Sequence, residues 1–508
     1  MKELKDLNDY EQMETDEAPK PKTSPKNRTK FFIFIFITVL ILIIGIYAFK
    51  KMHKPQVKAV NRRLIILGIG PVSQTVLALL DEKLKFKEYI IYDKVKDENI
   101  KDLVSSGTKI SVIQKEFHMK NFTTELLDIF QENDIIFDIF SRHQSIDVIR
   151  AASQKKNILY FNAGLEDLES KYGVCGDFEV LFKYMDKNKP IQTMMIGSGA
   201  NPGMITHFVR LGLIHMAEDA IKKNVKDSEK LKELLKKKNN EADLAEQLQI
   251  ETVHVSELET NDVDDEKVVE GFATNSWSIE TFIEECILNG EVSLNKDDLE
   301  YFNKKNVTYE KIPYFDLMYS TPSETYLKTA YPFGTFTGKV TTHEEIIEIS
   351  ELLSNKNHKI SSAFVYHPSR LGRKTLKYNQ EKPRKVFTEE NCGPLKGFEI
   401  MGATIISKRE DIPARWYGSI VSCEESRRVG CKTNPTTLQV AAGLYAHLLY
   451  ALDHPNMGIV FPHHFDSEII MEYAKPYLGI IYDMNLPFNI SYKCEDLVST
   501  EQDMNYDI

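Results

Sequence analysis

Cysteine is scarce and scattered in this chain. The 508 residues hold six (Cys175, Cys286, Cys392, Cys423, Cys431 and Cys494), and no two are spaced as a CxxC pair. That excludes a zinc site of ordinary spacing and a disulfide framework. It suits thiols kept reduced in a cytosolic body. Positive charge is not in excess either. The formal net charge is −11, and no basic aromatic face appears, which excludes a nucleic-acid binder. No internal repeat occurs. His463 and His464 are adjacent, but such a pair on one loop reads as two polar residues rather than metal ligands, so no metal is expected. What is present is globular in kind: 42% apolar and 27% charged residues. The length predicts two or three domains.

One long hydrophobic run stands apart. Residues 1–30 are polar, acidic first (Asp6 to Glu17) and then basic (Lys20 to Lys30), and read as a disordered tail. Phe31 to Phe49 follows, 19 residues without a charge. At 1.5 Å rise it spans roughly 28 Å, about one hydrocarbon core, and predicts a single transmembrane anchor. The run starts too far from residue 1 for a signal peptide. Five Lys/Arg in 16–30 face six in 50–64, so charge does not set the orientation. Sequons at Asn121, Asn306 and Asn489 matter only for a luminal body. A basic linker, 50–60, completes this region.

The chain from Arg62 to Leu80 carries the strongest local signal. An apolar run, Leu64 to Leu67, enters Gly68-Ile-Gly70-Pro-Val-Ser73, and a helical pattern follows. Two glycines after a strand let backbone approach a pyrophosphate at a helix N-terminus. A second run, Tyr89 to Tyr92, ends at Asp93, placed to meet ribose hydroxyls of NAD rather than a 2′-phosphate. Ser73 occupies the third fingerprint position, where Gly or Ala is usual. Further strands at Lys109–Ile113, Asp134–Phe140, Ile158–Phe161 and Gln192–Ile196 alternate with helices. This predicts a doubly wound parallel Rossmann sheet over 61–204. Its crevice is expected near Gly68, Gly70, Ser73, Asp93, Ser141 and Glu166. The turn Gly197-Ser-Gly-Ala-Asn201-Pro-Gly203 then presents Asn201, either to a ligand or to its own backbone.

Residues 205–508 read as a second α/β domain, antiparallel in character, for substrate and dimerisation. Two charged helices, Leu231–Lys238 and Glu241–Leu248, read as a solvated face. The C-terminal helices, from Thr436 to Leu452 and Phe465 to Leu478, are expected to pack back on the first domain. Candidates for chemistry are Glu166, Glu257, Glu285, His343 and Trp277, each with an ordinary structural reading when taken alone.

Taken together, Ser198-Gly-Ala-Asn201-Pro-Gly203, His254-Val-Ser-Glu257, Asn275-Ser-Trp277-Ser, Glu285, Thr342-His343, Tyr366-His367-Pro368, Arg415-Trp-Tyr-Gly-Ser419, Asn434-Pro-Thr-Thr-Leu-Gln-Val440 and Pro476-Tyr-Leu-Gly479 resemble bacterial-type homospermidine synthase. That family lies in the saccharopine dehydrogenase-like group. The resemblance runs from Arg62 to Gly479. It implies a homodimer with NAD as a recycled cofactor, which oxidises putrescine (or spermidine) to an imine, exchanges the amine and reduces the product. It implies Trp277 as a cation platform, Glu257 and Glu285 as ammonium anchors or bases, His343 in proton transfer, and Glu166 and Asn201 at the inner amine site. One departure stands out. Where the family carries an Asp two residues after the His-Pro word, this chain has Arg370. An inward Arg370 suits a carboxylate instead of a second ammonium. That leaves two alternatives: an NAD(P) reductase of the saccharopine or carboxynorspermidine type, or an inactive tethered module that keeps NAD.

Overall fold

Leu64, Ile65, Ile66 and Leu67 have no solvent exposure, as expected of a central parallel strand covered on both faces. The computed structural model describes residues 57–504 apart from 96–98, 141–144, 166–172, 265–270, 274–280, 284–286, 306–308, 378–384, 388, 390–392 and 432. The tail 1–30, the apolar run 31–49, and Ser141, Glu166, Trp277 and Glu285 lie outside the described residues. Among the described residues no helix is long and apolar enough to cross a membrane.

The first sheet contains β1 (Lys58–Leu67), β2 (Leu84–Asp93), β3 (Ile110–Gln114), β4 (Ile135–Asp138), β5 (Leu159–Asn162) and β6 (Met194–Met195), with α1 (Pro71–Asp81) after β1. Their order is β6-β5-β4-β1-β2-β3, all parallel. Direction of winding reverses between β1 and β4, so the crevice opens at the carboxyl ends of these two strands. Pairing begins at Lys58, inside the stretch read as linker, because Lys58 to Val60 find partners at Leu84 to Phe86. β6 is shorter than the apolar run implied. Its outer neighbour is a two-residue strand, Ile459–Val460, which the chain supplies only after most strands of the second sheet, between the strands Arg415–Ser422 and Ile480–Asn485.

Among the described residues the second sheet has eleven strands. Its centre is β7 (Ile250–Glu259), flanked by β8 (Ser361–His367) and β9 (Phe398–Ser407), with β10 (Arg415–Ser422) and β11 (Ile480–Asn485) beyond. The antiparallel expectation needs one correction, since β7 and β8 are parallel. The crossover between them, from Glu259 to Ser361, is long enough for that pairing. Every residue of β7 is buried. Helix α2 (Met204–Lys222) packs on β9 and β10, and the 19-residue α5 (Pro435–Asp453) lies on α1. One continuous core joins the two sheets, from Val60 through Ile405 and Tyr417 to Leu478.

The charged helices are not solvated all round. Leu231, Leu234, Leu244, Ala245 and Leu248 are buried, so each helix is amphipathic with a narrow apolar stripe. Trp416 is fully buried and donates from Nε1 to Ser256 Oγ at 3.0 Å, which makes it a core residue.

Candidate functional site

The nucleotide turn has the geometry its sequence requires. Gly68 has φ +107°, and a Cβ there meets Ile139 O at 2.7 Å. Gly70 precedes α1 and has open space where a Cβ would stand, among the described atoms. The α1 N-terminus carries no side-chain cap, which leaves its amides directed at an anion. Ser73 is fully buried and donates Oγ to Gly68 O at 2.6 Å. Its hydroxyl thus ties the turn to the helix, and the departure from Gly/Ala is accommodated. Asp93 ends β2. Its Oδ2 accepts from Ile69 N at 2.8 Å and its Oδ1 from Val95 N at 2.8 Å. Each oxygen keeps a further acceptor position for a hydroxyl. Gly68→Ala is expected to cost about 1–3 kcal/mol, from the left-handed backbone and the clash with Ile139. It should also lower dinucleotide affinity at least tenfold; calorimetry of the purified variant checks both.

A second centre forms where β7 meets β9. Glu257 and Glu259 are two apart on β7, so both side chains point to one face. Glu399 of β9 stands opposite Glu259 in the register. Oxygen atoms of the three carboxyls lie within 4.8 Å of one another, and all three residues are buried. Like charges opposed in this way destabilise a sheet, so the triad must shed charge or gain a cation. Burial, then the Glu259 charge, raises the Glu257 carboxyl to about 7. Burial raises Glu259. Burial and the two neighbouring acids push Glu399 well above the ordinary carboxylate range. Three polar groups steady the cluster. Asn201 Nδ2 donates to Glu257 Oε2, Ser369 N donates to Glu259 Oε2 at 3.2 Å, and Thr436 Oγ1 donates to Glu399 Oε2 at 2.9 Å. Among the described residues no other group of three or more His, Cys, Asp or Glu has donors close enough for one metal ion.

The first sheet reaches this triad directly. Asn201 sits in the turn after β6, and Leu165, just beyond β5, gives its amide to Glu344 Oε1. Both contacts come from carboxyl ends of parallel strands, the edge of the first sheet on which its crevice opens, and the Asn201 contact is the one made to the triad itself. His343 occupies the N-cap position of α3 (Glu344–Leu353) without a capping side-chain bond. Instead its Nδ1 lies 2.6 Å from Glu345 Oε2, and its ring lies 4.3 Å from that of Phe364. The Glu257 carboxyl feels its charge.

Arg370 begins α4 (Arg370–Lys377) at the rim. Its Nη2 lies 2.7 Å from both oxygens of Asp262, with both side chains about two-fifths exposed (39% and 45%). That pairing offsets the charge that set Arg370 apart in the sequence. His463 Nδ1 lies 2.6 Å from Glu348 Oε1, and His464 bonds the backbone of Phe461. The two histidines therefore serve a loop and a buried acid. Glu291, raised to about 7 by burial, accepts from Thr342 Oγ1 at 2.6 Å and Cys175 N at 3.2 Å.

Asn201 and Glu257 are thus brought together, His343 is bonded to Glu345 instead, and Glu166, Trp277 and Glu285 lie outside the described residues. Glu259 and Glu399 were not singled out by sequence reasoning. The available signal was one carboxylate two residues from Glu257, and another inside the apolar strand Phe398–Ser407.

The family described as Saccharopine dehydrogenase NADP binding domain matches residues 64–179. Across most of its length the chain is similar to proteins named homospermidine synthase. The one from Mesorhizobium japonicum is 24% identical over 452 residues, covering 84% of this chain and 90% of the relative. The one from Blastochloris viridis is 23% identical over 453 residues, covering 84% and 91%. Among solved structures, that of homospermidine synthase from Legionella pneumophila in complex with NAD superposes with a TM-score of 0.73. It shares 23% identity and covers 88% of this chain and 99% of the other. This shared architecture agrees with the α/β fold expected from the sequence.

Proposed function

We propose that this chain is a membrane-anchored, NAD-dependent homospermidine synthase. It joins putrescine, or the aminobutyl group of spermidine, to a second putrescine. The observation that carries the reading is the buried Glu257–Glu259–Glu399 cluster bonded to Asn201 at the end of β6. A buried, acid-rich wall beside a dinucleotide turn suits a flexible dication and repels a substrate anion. Relatives of the same name support the class of reaction.

NAD, when bound, would supply the acceptor and donor of the hydride exchanged with the aminated carbon. Gly68, Gly70, Ser73 and Asp93 would hold the dinucleotide, with Ser141 as the sequence suggests. Asp93 favours NAD over a cofactor bearing a 2′-phosphate. Glu257, near neutrality in its titration, takes a proton from the substrate ammonium, so that the free amine is present when oxidation occurs. Glu259 and Glu399 complete the acidic wall on the side of the cationic imine. Asn201 fixes the Glu257 oxygen. His343, oriented by Glu345, moves protons to and from the incoming and leaving amines. Glu166 and Glu285 anchor ammonium ends, and the Trp277 indole faces the positive intermediate. Ammonia leaves when putrescine is the donor, 1,3-diaminopropane when spermidine is, and no net redox change results.

Phe31 to Phe49 would tether this body, on the cytosolic side, and a homodimer is expected. Pairing of Arg370 with Asp262 weighs against the amino-acid reductase alternative, because that cation already serves a carboxylate of its own chain. Purified full-length protein should convert putrescine to homospermidine with catalytic NAD and no accumulating NADH. Turnover only with an amino-acid partner and NADPH supports the reductase instead. Bound NAD with no amine turnover supports the inactive module. Trp277→Phe is expected to lower kcat up to about tenfold, as replacing the indole by the weaker phenyl face in a desolvated cation–π contact predicts. NAD affinity should stay unchanged; unaltered turnover removes Trp277 from its role.

A further inference from the structure

Helix α5 begins in the Asn434-Pro-Thr-Thr-Leu-Gln-Val440 word, with Asn434 as its N-cap, and the proposed chemistry has used none of the helix beyond it. One face of this helix runs along the site. Thr436 holds Glu399, and Val440 and Gly443 pack on Gly199. A Cβ at Gly443 would come within 1.9 Å of Gly199 O, so only glycine permits this approach. His447, four residues on, shares that face. Its Nδ1 lies 3.0 Å from Ser198 Oγ and 3.2 Å from Ser198 O. Its Nε2 lies 3.0 Å from His207 Nε2, on α2. His207 Nδ1 in turn lies 2.9 Å from Ser467 Oγ, which accepts from Arg210 Nη1 at 2.9 Å. Both rings are fully buried, and none of these groups touches the carboxylate triad directly in the bonds described.

One direction of donation satisfies every partner in this chain of bonds. Arginine only donates, so Ser467 Oγ is an acceptor toward Arg210 and its own hydrogen can go to His207 Nδ1. His207 then carries its proton on Nε2 and donates to His447 Nε2. His447 carries its proton on Nδ1 and donates to the Ser198 carbonyl. Burial keeps both rings neutral, with His447 lowered to about 4 and His207 well below the usual range.

We propose that His447, with its tautomer set by His207, is a positioning residue that holds the 197–203 turn and thereby sets Asn201 against Glu257. The turn has few other outside ties: Gly197 N and Ser198 N bond Asn162, at 2.9 and 2.7 Å, while Met204 N and Ile205 N close it on itself. Asn201 lies three residues beyond the carbonyl that His447 grips. The inference rests on the functional reading above for its kinetic tests.

The experiment is a double-mutant cycle in the full-length protein, with kcat and KM for putrescine and the Kd of NAD measured separately. His447→Phe should lower kcat about 10- to 100-fold with NAD affinity unchanged. His447→Asn returns a donor to the Nδ1 position and should recover most of that loss. His207→Leu, one step further from the turn, should give a smaller loss in the same direction, and serves if His447→Phe does not fold. Asn201→Leu should resemble His447→Phe, and the double variant should be no worse than Asn201→Leu, because both act through one contact. Losses that multiply, or an Asn variant as poor as the Phe variant, overturn the proposal. If the wild-type protein turns over no diamine, the functional reading fails, and hydrogen exchange then decides the positioning role. Amides of 197–205 should exchange at least about tenfold faster in His447→Phe than in wild type or His447→Asn. Equal protection in all three overturns it.

Discussion

Glu257→Gln is expected to lower turnover of putrescine about a thousandfold, within the range for loss of a general base, and to leave NAD affinity within about twofold. The amide keeps the shape of the side chain and still accepts from Asn201, so the fold has no reason to change. What it loses is the capacity to take a proton. Glu257 has no bond to the Gly68–Ser73 turn, which is why the cofactor should not sense the change. Steady-state kinetics with calorimetry of NAD binding checks both halves. Loss of NAD affinity in parallel with turnover would show that Glu257 supports the crevice rather than the reaction.

The second large effect concerns stability and has the opposite sign from loss of function. A carboxyl whose folded-state pKa lies above its unfolded value binds its proton more tightly when folded. Stability is therefore lost as pH rises between the two values, and the loss is complete above the folded one. For Glu257 the window runs from 4.5 to about 7. That rise corresponds to at most about 3 kcal/mol lost by pH 8, with Glu259 and Glu399 adding in the same direction. Glu399→Gln mimics the protonated acid, keeps a group for Thr436 to bond, and removes one like charge. It should raise the melting temperature at pH 8, have little effect at pH 4, and change kcat less than tenfold. Thermal melts across that pH range check it. Equal shifts at both pH values would mean that packing, not charge, is responsible.

The two halves of the molecule differed in how far the sequence revealed them. The turn at Gly68 to Ser73 and the carboxylate at Asp93 were legible because a nucleotide site is built from contiguous residues whose types are fixed by backbone geometry. Ser73 looked like a flaw, yet its hydroxyl found Gly68 O within the same turn. The acidic cluster was legible only in part. Asn201, Glu257 and His343 stood out through the words around them. Glu259 and Glu399 did not, since their meeting depends on the register of β7 and β9, with 138 residues between Glu259 and Phe398. Sequence spacing carries no record of such a register. Arg370 shows the converse. Its residue type suggested a carboxylate-bearing substrate, but Asp262, 108 positions earlier, supplies that carboxylate from the chain itself. Likewise the return of Ile459–Val460 to the edge of the first sheet follows from packing of α5, not from any local pattern.

Isotope retention tests the central claim most directly. Putrescine deuterated at both aminated carbons, given to the full-length protein with NAD and an excess of unlabelled NADH, should yield homospermidine that keeps every deuterium. The hydride removed from an aminated carbon is then returned to that same carbon before the cofactor leaves the acid-walled crevice. Homospermidine lacking one deuterium, or no homospermidine at all, would contradict the account.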